Sequence, residues 1–310
     1  MGLATAGAIL GLLSVTEPRY LREIYLCWKQ AVSFPSCFQG GPIDFVADID
    51  GIKYKGQAGN YIDNQIFYYG AYEKPTLFLL RDFMRATPGG PGTFIDVGAN
   101  TGQHSMIMAR YAKRVHAFEP WEPVLKRFRL MVAENGIKNI FIHAYGLGEH
   151  NSKKPFFKPR QDNLGTGSFV ADFNPDNSLE GELEIQKGDD AFANENITSV
   201  AVIKMDIEGY EKLALRGLRR TLMQHRPIVV FEITINRESP VSIKSPEELA
   251  ALFPGNYEFL VISARSDALT GAYFLEPVDR IVRFDKAAQY DLVAYPAERK
   301  NDISRQGPLR

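Results

Sequence analysis

The residues of this chain best placed to do chemistry are acids that end apolar runs. Asp96 sits in TFIDVGANTG, residues 93–102, and Glu119 in VHAFEP. Asp206 and Glu208 close SVAVIKMDIEG, with Lys204 two residues before the first, and Glu232 follows VVF in PIVVFEI. A run of β-branched and aromatic residues that stops at a glycine turn reads as a buried strand entering a loop. In open α/β sheets such strand ends are where ligands collect. Gly98 and Gly102 allow a tight turn and close backbone approach.

The turn discriminates between ligands. A nicotinamide dinucleotide calls for G-x-G-x-x-G with pyrophosphate on the helix N-terminus. Here those positions hold Gly98, Asn100 and Gln103, and a carboxylate at Asp96 repels phosphate. S-adenosylmethionine has no phosphate and carries a sulfonium and an ammonium, so an acid beside the turn suits it. Glu119 can accept hydrogen bonds from both ribose hydroxyls, as the acid about 20 residues past a dinucleotide turn also does. Methyl transfer to a hydroxyl is helped by a base within hydrogen-bond reach. Asp206, Glu208 and Glu232 are the catalytic candidates. Those three acids are also an oxygen set for Mg2+ or Ca2+, but no metal is expected. Asp189 or Asp190 in GDDAF and the polar interval with NLGTGSFV are secondary candidates for the pocket and its cover, while His104 and His143, nearest the sheet edge, read as structural.

The elements that must position these residues alternate. From Thr93 onward, strand-like runs (TFIDV, VHAFEP, NIFIHAYGL, SVAVIKMDIEG, PIVVFEI) alternate with helical ones (QHSMIMARYAKR, WEPVLKRFRLMVAENG, YEKLALRGLRRTLMQH). That order specifies a mostly parallel α/β sheet with right-handed crossovers. Gly217 divides the last helical run. Ser245 and Pro246 open another helix, and YEFLVIS, AYFLEP and RIVRF read as late strands. Residues 1–90 form an N-terminal extension, with a hairpin at Asp50-Gly51 and a helix marked by Leu77, Leu80, Phe83 and Met84. The catalytic domain is expected over 91–295 and a loose polar tail over 296–310.

These blocks resemble the FkbM-type methyltransferases within the class I S-adenosylmethionine-dependent enzymes. The resemblance runs from Thr93 to Ile233, and its most specific part is K-x-D-x-E-G-x-E, Lys204 to Glu211. It implies a Rossmann-like, seven-stranded, mostly parallel sheet with an antiparallel edge. It also implies methyl transfer, usually to oxygen, on a small-molecule acceptor. Asp96, Gly98, Asn100 and Gly102 would line the methionine end and Glu119 would take the ribose. Ala99 and Pro120 fall in the same two turns and are counted with them. The rivals are a nicotinamide-dependent oxidoreductase and an inactive binding module on the same fold.

Composition sets the remaining bounds. The 310 residues are 45% hydrophobic and 24% charged, with net charge -1, so no basic surface points to nucleic acid. Two cysteines, Cys27 and Cys37, make no disulfide framework, and a reducing, cytoplasmic compartment is the default. Leu3 to Val15 is apolar but short of the ~20 residues a membrane span needs. It reads as a packed or interfacial helix, with membrane contact as the alternative.

Overall fold

The computed structural model describes residues 43–160, 163–171, 173–235 and 241–307. Leu3 to Val15, Cys27 and Cys37 lie outside the described residues. The hairpin forms where expected. β1 (Ile43–Ile49) and β2 (Ile52–Ala58) pair antiparallel, with Ile49 opposite Ile52. Asp50 and Gly51 both take positive φ, 52° and 78°, matching the twist of the two strands. Alternate residues of β2 are buried, including Tyr54. α1 (Tyr61–Tyr69) is capped by Asn60 and stops at Gly70 in the left-handed region. α2 (Lys74–Arg85) buries Leu77, Leu80, Phe83 and Met84, the anticipated stripe.

The α/β unit follows with β3 (Thr93–Val97), α3 (Gln103–Met108), β4 (Arg114–Phe118), α4 (Glu122–Glu134) and β5 (Ile140–His143). Next come β6 (Gly146–Gly148), β7 (Ser152–Lys158), β8 (Ser178–Lys187), α5 (Gly188–Asn194) and β9 (Val202–Met205). α6 (Glu211–Gly217) and α7 (Arg219–His225) break at Gly217-Leu218, and β10 (Ile228–Ile235) follows. The chain ends with α8 (Pro246–Ala251), β11 (Tyr257–Ile262), β12 (Leu275–Pro277), α9 (Val278–Ile281) and β13 (Ala288–Pro296).

The main sheet has the order β12-β11-β13-β10-β9-β3-β4-β5. β10, β9, β3, β4 and β5 run parallel, while β13 lies antiparallel between β10 and β11. The sheet therefore has eight strands rather than seven. The extra one is the short β12, antiparallel to β11 at the edge. Side chains alternate between two cores. Phe94 and Val202 pack with Tyr54, Leu80 and Phe128 on one face, and Ile95 and Ile203 with Phe118, Leu218 and Phe231 on the other. The extension thus contributes directly to one face of the sheet.

Three other expectations differ. RIVRF is not a strand; its start lies in α9, and the strand is β13, a few residues later. Val282 is buried in the core without pairing in the sheet, whereas β13 has two neighbours to pair with. NIFIHAYGL splits into β5 and β6, and β6 leaves to build a small sheet of order β6-β8-β7. The segment read as a loose tail is anchored as far as Gly307. Arg299 Nη1 donates to the Ala201 carbonyl at 2.8 Å, and Gly307 N to that of Tyr273 at 3.0 Å.

Candidate active site

The glycine turn between β3 and α3 is stapled to the end of β4. Gly98 N and Ala99 N both donate to the Phe118 carbonyl, at 2.9 and 3.2 Å. Asn100 N donates to Glu119 Oε2 at 3.0 Å, Thr101 N to Asn100 Oδ1 at 2.7 Å, and Gly102 N to the Ala99 carbonyl at 2.8 Å. Every amide from Gly98 to Gly102 is thus directed at the protein itself. A pyrophosphate needs several of them turned outward.

Gly98 must be glycine on two counts. Its φ is +82°, and a Cβ there would stand 1.9 Å from the Asp206 carbonyl oxygen. β9 runs beside β3, with Asp96 opposite Lys204, so the turn and the Asp206 segment cross at van der Waals contact. Asn100 adopts φ +49°, a conformation Asn tolerates, and its amide donates to the Leu164 carbonyl at 2.9 Å. That bond ties the turn to the loop at Leu164, which lies over the cleft, as the polar interval suggested.

Gly98, Asn100, Glu119, Pro120, Asp206 and Glu208 line one cleft. Its opposite wall is apolar, with Trp121, Phe156, Leu164 and Phe169 packed beside Glu119. Glu119 is buried, and its Oε1 also accepts from Trp121 N at 2.9 Å. Burial lifts its carboxyl to about 7, against the pull of the two amides it accepts from. Each oxygen keeps a second acceptor site for a hydroxyl.

Asp96, Ala99 and Gly102 do not line this cleft; they form its floor and frame. Asp96 is fully buried, and its Oδ2 accepts from Ser105 Oγ at 2.6 Å. Its Oδ1 has no hydrogen-bond partner among the described residues. Burial raises its carboxyl, opposed by the charge of Lys204. Gly102, at φ +82°, lets the Phe128 ring approach where a Cβ would meet it at 2.0 Å.

Around Lys204 the structure gathers carboxylates. Lys204 is buried, and its Nζ lies 3.2 Å from Asp206 Oδ2. The nearby charges of Asp206, Asp96 and Glu73 outweigh desolvation and raise its ammonium. β9 stops at Met205, so Glu208 does not continue a strand face with Lys204 and Asp206. It stands on a turn at φ +54°. Glu208 is lifted to about 9 by burial and by Asp206 and Glu211. Glu232 lies within β10, three residues before its end, in register with Asp291 on β13. It is lifted to about 10 by burial and by the same acids.

Sequence reasoning missed several residues. Glu211 is buried and braces the Asp206 turn by accepting from Ile207 N at 2.8 Å and Gly209 N at 3.3 Å. Asp206, Glu211 and Glu232 bring carboxylate oxygens within 4.8 Å of one another, so Glu211 takes the place assigned to Glu208 in the oxygen trio. Beneath the turn, Tyr54 Oη bonds Asp63 at 2.8 Å and Thr101 Oγ1 at 3.0 Å, and Arg127 pairs with Asp63 at 2.8 Å. Only the K-x-D-x-E-G-x-E pattern, which includes Glu211, carried a local signal for any of these. Asp189 faces away from the cleft, capping α7 through Arg220 N and Thr221 N at 2.8 Å each.

The donor set fits S-adenosylmethionine. It provides a phosphate-free turn, a buried acid with an open acceptor site for the ribose, an apolar slot for the base and excess negative charge for a cation. No helix among the described residues is long and apolar enough to cross a membrane. Among curated proteins no match is found. Solved structures that match include an S-adenosylmethionine-dependent methyltransferase from Agrobacterium tumefaciens, at 10% identity and a TM-score of 0.46 over 82% of this chain and 70% of that one. Another is a Streptococcus mutans protein solved with SAH, at 10% identity and a TM-score of 0.38 over 70% and 95%. At these values neither bears on the acceptor. The methyltransferase FkbM domain matches residues 96–254, half of the chain and the whole run from the acid of the glycine turn past β10. The chain belongs to the FkbM family of S-adenosylmethionine-dependent methyltransferases.

Proposed function

We propose that this enzyme methylates a hydroxyl group of a small molecule. The observation behind this reading is the group of carboxylates around Lys204, several of them lifted toward neutrality by burial. Such groups can take up the proton a hydroxyl must lose. When bound, S-adenosylmethionine supplies an electrophilic methyl on a cationic sulfur. Glu119 would hold the ribose hydroxyls, Trp121 and Phe156 the base, and Asp96 would act on the methionine end from behind the turn. Asp206, fixed by Lys204, would face the acceptor, with Glu208 and Glu232 tuning the charge around it. Residues 91–295 are assigned as the catalytic unit, 1–90 as an extension and 296–310 as its closing segment. Two cysteines in 310 residues fit a reducing, cytoplasmic setting.

Calorimetry with S-adenosylmethionine and with NAD tests the cofactor part. S-adenosylmethionine should bind wild type and bind Asp96→Ala at least about tenfold more weakly, since a charge interaction of roughly 1.4 kcal/mol is lost. NAD should not bind. A panel of hydroxyl and amine metabolites then tests the acceptor. Asp206→Asn should keep cofactor binding and lose turnover by about a hundredfold or more. Unchanged turnover would remove Asp206 from the reaction, and methylation of amines alone would overturn the hydroxyl assignment.

A further inference from the structure

The segment ahead of β3 brings one more acid within electrostatic reach of Lys204 and Asp206. Glu73 precedes α2 in the left-handed region, φ 46° and ψ 46°, and its side chain makes no capping bond to the helix. A non-glycine residue is rarely held there unless its surroundings impose it. Here Gln103, the first residue of α3, clamps the neighbouring Tyr72 on both sides. Its Nε2 donates to the Tyr72 carbonyl at 3.0 Å, and its Oε1 accepts from Tyr72 N at 2.7 Å. Glu73 Oε2 lies 3.9 Å from His104 Nε2, a buried nitrogen with no hydrogen-bond partner among the described residues. The Tyr72 ring meets His104 edge-on at 6.3 Å. The fold thus holds Glu73 in a costly conformation, with the Tyr72 side chain and His104 against its carboxylate.

We propose that Glu73, from outside the family-matched segment, faces the methyl-donor end of the cleft, ionises when the cationic cofactor enters, and takes the acceptor's proton. This rests on the reading of the chain as a methyltransferase acting on a hydroxyl. In that step the hydroxyl oxygen bonds to the methyl carbon. The carbon–sulfur bond breaks with its electron pair left on sulfur, and the hydroxyl proton passes to Glu73. Asp206 already has an oxygen on Lys204 and is a positioning partner in this division of labour.

The charges around Glu73 support it. Tyr72 is its chain neighbour, His104 reaches it from α3, and Lys204 and Asp206 from the end of β9. Glu208 follows them, and Asp291 comes from β13. Loss of solvation, with Asp206 and Asp291, lifts the Glu73 carboxyl to about 8, while Lys204 and Tyr72 act the other way. Burial and Lys204 hold His104 well below its usual value, so it brings no compensating charge. A sulfonium beside Glu73 favours the carboxylate and expels its proton, whereas the neutral sulfur of S-adenosylhomocysteine does not.

Calorimetry at pH 7.5 in buffers of different ionisation enthalpy counts that proton without any acceptor. Wild type should release about half a proton or more on binding S-adenosylmethionine and little on binding S-adenosylhomocysteine. Glu73→Gln should bind S-adenosylmethionine about threefold or more weakly than wild type and lose the release, and Glu73→Asp should retain it. Full release from Glu73→Gln, or equal release with the two ligands in wild type, overturns the proposal and leaves the methyltransferase assignment standing. If Glu73→Gln does not fold, the wild-type ligand comparison and the Asp variant still decide. Failure of wild type to bind S-adenosylmethionine would overturn the cofactor reading itself.

Discussion

At Gly98 the backbone conformation and the crossing of two segments coincide. The Asp206 carbonyl fills the space a side chain would need, and φ is +82°. Gly98→Ala should therefore strain the turn by about 1–3 kcal/mol and move Asn100 off Glu119. Affinity for S-adenosylmethionine should fall at least about tenfold by calorimetry, and wild-type affinity would show that the crossing relaxes freely. Turn chemistry of this sort is legible in one sequence because it is local. Gly98 and Gly102 could be read as tight-turn glycines, and Glu119 as a strand-end acid. Glu73 and Tyr54 could not. One is defined by its approach to His104 across the start of α3, the other by a hydrogen bond to Thr101, and neither spacing repeats in the chain.

Among the elements, the hairpin and α1 act as a brace under the catalytic turn. Asp63 is fully buried and joins β2, α1 and α4 by accepting from Tyr54, Gln57 N, Asn60 and Arg127, each at 2.8 Å. Asp63→Ala leaves the Arg127 charge and the Tyr54 hydroxyl without that partner. It should cost about 3 kcal/mol, or about 5–10 °C of melting temperature. A shift under about 2 °C, measured by scanning calorimetry, would show that water replaces the carboxylate. Periodicity and caps identified the hairpin, α2, α8 and the parallel strands. They did not identify β13 or the β6-β8-β7 sheet. β8 does alternate, with Glu180, Glu182 and Glu184 between Leu179, Gly181, Leu183 and Ile185, but only Ile185 is fully buried, so the pattern marks a strand without showing which sheet it joins.

For the whole molecule, the acids gathered at the sheet's carboxyl end govern how stability varies with pH. Glu119 is lifted to about 7, Glu73 and Glu211 to about 8, and Glu208 to about 9, burial being the first cause in each. The folded state then holds protons that the unfolded chain, with carboxyls near 4.5, has released. The resulting stability is complete below about pH 4.5 and drains away as pH rises through 7 to 9. Melting temperature of the free protein should fall from pH 6 to 8.5. The gain given by S-adenosylmethionine should grow over the same range, because its positive charge favours the carboxylates. A flat or rising profile for the free protein in thermal denaturation would contradict the charge assignment. The sequence by itself determined the order of the parallel strands and the helices between them, the glycine turn and the acids that flank it, since each depends on neighbours a few residues away. Only the tertiary structure decided which acids share a site. Glu73, Glu232 and Asp291 come from three segments far along the chain from the turn that carries Asp206 and Glu211, and it is the order in which those segments pack that places their charges within reach of one another and of Lys204.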